Sequence, residues 1–214
     1  MKPRGPLHVL LPPLSRCAEV PELKPWLVRG DRMADAAPGY VSALAAEFQW
    51  PGTRLPVAAL VRERLRADAG NDYWLCADLA FVQADPNGAR VLACGNLDIS
   101  REEAAELAHD LRPLFGDQGA LLELTTPPRW HLRMAHGARP PSFASAEQVL
   151  GADLVEHLPQ GNDGRRWRRL LNEAQVILHQ HPLNAARRRR GQWPANALWL
   201  WGGGELSMWM KTDL

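Results

Sequence analysis

The stretch Tyr73-Trp74-Leu75-Cys76-Ala77-Asp78-Leu79-Ala80-Phe81-Val82-Gln83, then Asp85-Pro86-Asn87-Gly88, then Arg90-Val91-Leu92-Ala93-Cys94, decides the architecture. Its first part is rich in apolar and aromatic side chains and reads as a buried strand. In the tetrapeptide, proline sets one φ and asparagine or glycine accepts a left-handed residue, so the chain turns there. Arg90 to Cys94 is then the return strand of a hairpin. Residues 120–125 and 129–134 predict a second hairpin around Pro127-Pro128. In it Trp130, Leu132 and Met134 alternate with Arg129, His131 and Arg133, which predicts one dry face and one basic face.

Helices surround these hairpins. Tyr40 to Phe48 and Pro56 to Ala67 have helical spacing. Ser100-Arg101-Glu102-Glu103 is a capping box that opens a helix whose stripe is Ala104, Leu107, Ala108 and Leu111, ending near Phe115-Gly116. A short helix is expected near Ala146 to Leu150. Arg165 to His181 is the long helix, with Trp167, Leu170, Leu171, Ala174 and Leu178 on one face and Pro182 as its stop. Leu7 to Leu11 reads as a short strand halted by two prolines, residues 15–39 as mostly irregular, and Ala195 to Trp201 as a strand leading into a glycine turn. The expected fold class is α/β (α+β): a mixed sheet with β-hairpins, covered by helices.

The 214 residues fit one domain, or one domain with a small lobe, and the net charge is only +1. Three scattered cysteines, Cys17, Cys76 and Cys94, make neither a disulfide framework nor a CxxC zinc knuckle, and predict free thiols in a cytoplasmic setting. The short apolar run after Met1 is no signal peptide, and no stretch has the length of a membrane span. A membrane partner is therefore not expected.

Charge is concentrated locally. Eight arginines fall between Arg165 and Arg190, against Glu173 as the sole acid. Arg165, Arg166, Arg168 and Arg169 are expected in the first turns of the long helix, where the macrodipole is unfavourable to cations. Three explanations fit: a solvated basic face, a carboxylate from the protein itself, or an external anion. The run Arg187 to Arg190 reads as a solvated loop or a bidentate receptor for carboxylate or phosphate. Gly202-Gly203-Gly204 allows close approach to backbone amides, either as a structural turn or as an anion nest. It is neither a Walker loop nor a dinucleotide fingerprint. Near-neutral overall charge and the absence of a groove-reading motif argue against nucleic acid. His179 and His181 stand two apart and cannot share a metal on a helix, so they read as C-terminal cations. Asn184 and Asn196 fit capping and loop bracing as well as ligand contacts.

The strings Trp74-Leu75-Cys76-Ala77-Asp78, Phe115-Gly116-Asp117, Leu158-Pro159-Gln160-Gly161, Asn172-Glu173-Ala174-Gln175, His181-Pro182-Leu183-Asn184 and Asn196 to Gly204 resemble the RpfE-type regulatory protein family. That family is distantly similar to the lobe inserted into archaeal-type cofactor-independent phosphoglycerate mutases. There a His-Pro-x-Asn-x-x-Arg string precedes an Ala-Asn strand with a glycine-rich turn; His181, Pro182, Asn184, Arg187, Ala195, Asn196, Gly202 and Gly204 fit it. The resemblance implies a lobe that closes over a phosphorylated substrate. The mutases also use two divalent metals and a nucleophilic serine on a separate core, and no segment here offers that constellation.

The sequence therefore predicts one domain over 1–206 with an atypical tail at 207–214. It predicts a non-catalytic regulatory protein that binds a small anionic metabolite and engages a protein partner, with no cofactor. Its ligand contacts are expected at Arg165, Arg169, Asn184, Arg187, Asn196, Gly202, Gly203 and Gly204, with no catalytic residue or metal ligand assigned. The alternatives are a metal-dependent phosphoglycerate mutase or phosphatase, and a nucleic-acid-binding regulator.

Overall fold

A computed structural model describes residues 20–31, 39–46, 54–86 and 88–206. The chain divides into two compact units, residues 1–49 and 50–214. In the first unit lie the short helices α1 (Lys24–Arg29) and α2 (Tyr40–Ala46). The expected irregular stretch thus contains α1, because a proline in its first turn presets the helical φ. The strand expected at Leu7 to Leu11 and the tail at 207–214 lie outside the described residues.

The second unit runs α3 (Val57–Arg66), β1 (Tyr73–Asp85), β2 (Gly88–Cys94), α4 (Arg101–Gly116), β3 (Leu121–Thr126), β4 (Arg129–Met134), α5 (Ala146–Val149), α6 (Leu154–His157), α7 (Gly161–Gln180), α8 (Pro182–Arg189) and β5 (Ala197–Gly204). Both expected hairpins are present, and the capping box at Ser100 and Glu103 opens α4 as read from sequence. The architecture is α/β: an antiparallel five-stranded sheet flanked by helices.

β1 is the spine. Trp74 and Cys76 each pair with both β4 and β5, and Ala80 pairs with both β2 and β5. One edge of β1 therefore belongs to β5, and the other is shared end to end by β4 and β2. Asp78 falls between the last β4 pair, at Cys76, and the first β2 pair, at Ala80. On that edge it sits in the gap between two strands.

The alternation of β1 sorts the two faces. Leu75, Ala77 and Leu79 join Leu122, Leu132, Leu198 and Leu200 in the main core, under the apolar stripes of α4 and α7. Cys76 and Asp78 point to the opposite face. There α3 lies against the sheet, its Arg62 guanidinium 4.7 Å from the centre of the Trp74 ring. The face that alternation marks as basic is thus covered: His131 is fully buried and Arg62 reaches Thr125 and Glu123 from above.

Two corrections concern helices. α7 begins at Gly161, four residues earlier than the charge pattern implied, with Asp163 in its first turn. The arginines at 165–169 therefore sit beyond the turn where the dipole penalises cations most. The run expected to be a loop is mostly helix α8: Pro182 presets its first turn, and the His181 ring accepts from the Leu183 N–H at 3.2 Å.

Candidate functional site

The eight residues expected to hold an anion fall into two sets. Asn184, Arg187 and Asn196 are buried and bonded to the protein itself. Arg187 is 0% exposed; it donates to Leu97 O at 2.5 Å, Trp193 O at 3.0 Å and Glu103 Oε2 at 2.5 Å. Asn184 donates to Leu178 O at 2.6 Å and accepts from the Ala195 N–H at 2.8 Å. Asn196 brackets Val82, donating to its carbonyl and accepting from its N–H, each at 2.8 Å. These side chains splice α7, α8, β1 and the β2–α4 loop; none faces solvent.

The three glycines belong to this internal set. They lie in strand β5, not in a turn after it. A Cβ on Gly202 would stand 3.1 Å from Val57 Cβ, and one on Gly203 would stand 2.5 Å from Tyr73 Oη. A Cβ on Gly204 would overlap Pro56. Absent side chains let the start of α3 lie close against the strand, and the three glycines are half-buried.

Arg165 and Arg169 form the other set, exposed on α7. With Arg166, Asn162, Gln118 and Glu173 they line a groove between α7 and the turn after α4. Arg166 is fixed by the Gln118 side chain and carbonyl, both at 2.9 Å. Arg169 pairs with Glu173 at 2.7 Å, so the protein's own carboxylate answers one of the arginines. The Arg165 side chain has neither hydrogen bond nor ion pair among the described residues. The groove presents three guanidinium groups to water and one acid at its rim, a surface suited to a carboxylate or phosphate.

A third constellation went unassigned in the sequence. Asp78, 1% exposed, accepts from Arg129 Nη1 and, at 2.8 Å, from the Trp201 indole, both through Oδ2. Its Oδ1 has no hydrogen-bond partner. Burial pushes the Asp78 carboxyl above the usual range, while Arg129 and the indole pull it back. Burial also drives the neighbouring Cys76 and Cys94 thiols far up, which keeps them protonated and inert. Beside them His131 accepts or donates through Nδ1 to Thr125 Oγ1 at 2.6 Å, and Arg62 donates to that hydroxyl at 3.0 Å. Burial, then Arg62 and Arg129, lower this histidine to about 4. An acid within an apolar strand and an arginine directly after Pro127-Pro128 were the available signals; buried acids come paired.

Among the described residues no three His, Cys, Asp or Glu side chains are grouped to hold a metal ion. The described residues thus offer no set for the metal pair that the resemblance implies, and no chemical step is derived through it. No helix among the described residues is long and apolar enough to cross a membrane.

No family model matches the chain. Similar curated proteins are mutases. The probable 2,3-bisphosphoglycerate-independent phosphoglycerate mutase of Geobacter sulfurreducens is 40% identical over 57 residues, covering 27% of this chain and 14% of that protein. The 2,3-bisphosphoglycerate-independent phosphoglycerate mutase of Methanosarcina acetivorans is 41% identical over 56 residues, 26% of this chain and 14% of that protein. Among solved structures, the cofactor-independent phosphoglycerate mutase from Thermoplasma acidophilum matches with a TM-score of 0.51 and 18% identity, over 79% of this chain and 47% of that one. The aligned segment thus spans about one seventh of these curated relatives' length. The expectation of a non-catalytic regulatory protein of RpfE type is overturned: the sequence matches are named as mutases, and none points to that regulatory family. The chain is homologous in sequence and structure to the cofactor-independent phosphoglycerate mutases, and its fold is that of their inserted lobe.

Proposed function

We propose that the chain serves a phosphoglycerate-mutase-type enzyme, its lobe binding a phosphorylated three-carbon acid during phosphoryl transfer. The observation that carries this is identity of 35–41% over 56–57 residues to proteins named as phosphoglycerate mutases. The α7 groove fits the role. Arg165 and Arg169 supply charge for the phosphate or carboxylate, and Arg166, held by Gln118, supplies a fixed donor fork. In phosphoryl transfer, positioning and charge stabilisation are most of what a protein contributes. No described residue is assigned to bond making or breaking.

The test is conversion of 3-phosphoglycerate to 2-phosphoglycerate by the purified protein with manganese, cobalt or magnesium, read through coupled formation of phosphoenolpyruvate. Metal-dependent turnover that a chelator abolishes is the expected result. Arg165→Ala with Arg169→Ala should raise KM at least tenfold while the fold is retained. No turnover with any of the three metals overturns the enzyme reading; unchanged KM moves the binding site off α7.

A further inference from the structure

Between α6, the middle of α7 and the strands β1, β2 and β5 lies a cavity of about 80 Å³. Protein interiors are packed as closely as organic crystals, with few voids larger than a water molecule, so a space of this size has a cause. Here the cause is a pair of small residues. Ala80 of β1 and Ala197 of β5 stand directly opposite each other in the sheet; both are buried and both line the space. One step along the same register, Leu79 faces Leu198. The remaining walls are apolar, from Val82, Val91, Leu154, Leu158 and Leu171.

The rim is polar and comes from one stripe of α7. Arg168, Asn172 and Gln175 recur at helical spacing and all line the cavity, and no acidic side chain among the described residues does. Asn172 is exposed, so the space opens to the surface there. The side-chain amides of Asn172 and Gln175 make no hydrogen bond among the described residues. Arg168 is held from behind. Its Nη1 donates to Pro159 O at 2.5 Å and to Gly161 O at 3.5 Å, while Nε and Nη2 have no partner among the described residues. Gly164 makes room for it: a Cβ there would stand 2.3 Å from Pro159 O and 3.0 Å from Nη1. The guanidinium is thereby fixed with donors to spare.

An apolar space with a few convergent polar groups at its rim is the make-up of a small-molecule site. Size narrows the ligand. The volume is roughly half that of an engineered 150 Å³ cavity that takes benzene, which leaves room for a branched aliphatic end and none for a ring. Charge narrows it further, because one guanidinium and two amides suit a carboxylate. We propose that the cavity binds a short branched aliphatic carboxylate of about four or five carbons, its hydrocarbon end over Ala80 and Ala197 and its carboxylate at Arg168, Asn172 and Gln175. The site is separate from the groove at Arg165 and Arg169 and does not rest on the mutase reading.

Sodium isovalerate is titrated into methyl-labelled protein at constant ionic strength, with the Val91 methyl signals assigned through Val91→Ile. A saturable displacement of those signals is expected. Sodium acetate lacks the branched end and 3-methylbutanol lacks the charge; each should bind roughly tenfold more weakly or worse. Arg168→Gln, which keeps a donor for Pro159 and removes the charge, should weaken isovalerate by a similar factor. Ala197→Val, which fills the space, should abolish the displacement, and if that variant does not fold, Arg168→Gln decides. The response should be retained in Arg165→Ala/Arg169→Ala. An unmoved Val91 signal overturns the proposal. So does an equal response to acetate or to 3-methylbutanol, one undiminished in Arg168→Gln or in folded Ala197→Val, or one lost in Arg165→Ala/Arg169→Ala. If the mutase assay fails while the methyl response holds, only the mutase reading falls.

Discussion

Arg187, on α8, meets Glu103, the third residue of α4, at 2.5 Å, and the same carboxylate closes the capping box of α4 by accepting from the Ser100 N–H at 3.2 Å. Arg190 reaches the other oxygen of Glu103. One acid therefore serves as helix cap and as anchor for a second helix.

Removing the anchor should be costly. Arg187→Ala strips the buried Leu97 carbonyl and the Trp193 carbonyl of their donor and leaves Glu103 short of a partner, a loss of about 3–5 kcal/mol. A urea midpoint measured beside the parent protein checks it. Arg169→Ala removes an exposed i,i+4 pair and should leave the midpoint almost unchanged. Equal effects at the two positions would mean that burial does not separate them.

His131 sets an acid limb. Its folded value of about 4 lies below the free value of 6.5, so the unfolded chain takes up the proton first as pH falls. Stability is intact above pH 6.5 and drains away between there and pH 4, by about 3 kcal/mol in full. Chemical denaturation at stepped pH should show that slope, and His131→Gln should flatten it over the same window. A parallel slope in the variant would assign the limb to other groups.

Gly204→Ala drives a methyl into Pro56 and must lift the start of α3 from β5. The expected loss is about 1–3 kcal/mol. Pro56→Gly in the same chain should recover part of it by clearing the contact, which thermal unfolding of the two variants reads directly.

Asn196→Ala deletes both hydrogen bonds to Val82 and leaves a buried N–H and carbonyl without partners. The expected cost is about 2–4 kcal/mol. Amide exchange at Val82 should speed up more than at Leu200, which keeps its strand partners.

Much of the fold was legible. Asp85-Pro86-Asn87-Gly88 and Pro127-Pro128 marked their hairpins through local turn chemistry, and Ser100 with Glu103 marked the start of α4. These signals work because every residue involved is close in sequence. The internal role of Arg187 and Asn196 was not legible for the opposite reason. Their partners are Leu97, Glu103 and Val82, roughly 80–114 positions away, and an arginine among arginines gives no hint of which one is buried, whereas Asn184 bonds nearby, to Leu178 and Ala195. Spacing held a trace of it: Asn184 and Arg187 stand three apart, on one side of a helix. The glycines misled because a strand packed flush against a helix needs the same residue as a turn does. Arg165 and Arg169 were readable as exposed cations, since a helix with a clear apolar stripe fixes its wet side too.

The long central strand has a further consequence, for the making of the protein. Asp78 waits for Trp199, its β5 partner, across more than a hundred residues of chain. During synthesis the strand can gain β2 and β4 early, yet its second edge stays open until position 204 has left the ribosome. A nascent chain stalled before that point displays a row of unpaired amides and carbonyls to its neighbours, the template from which strands of different molecules associate. Slow translation just upstream of β5 should therefore lower soluble yield more than the same pause placed after it.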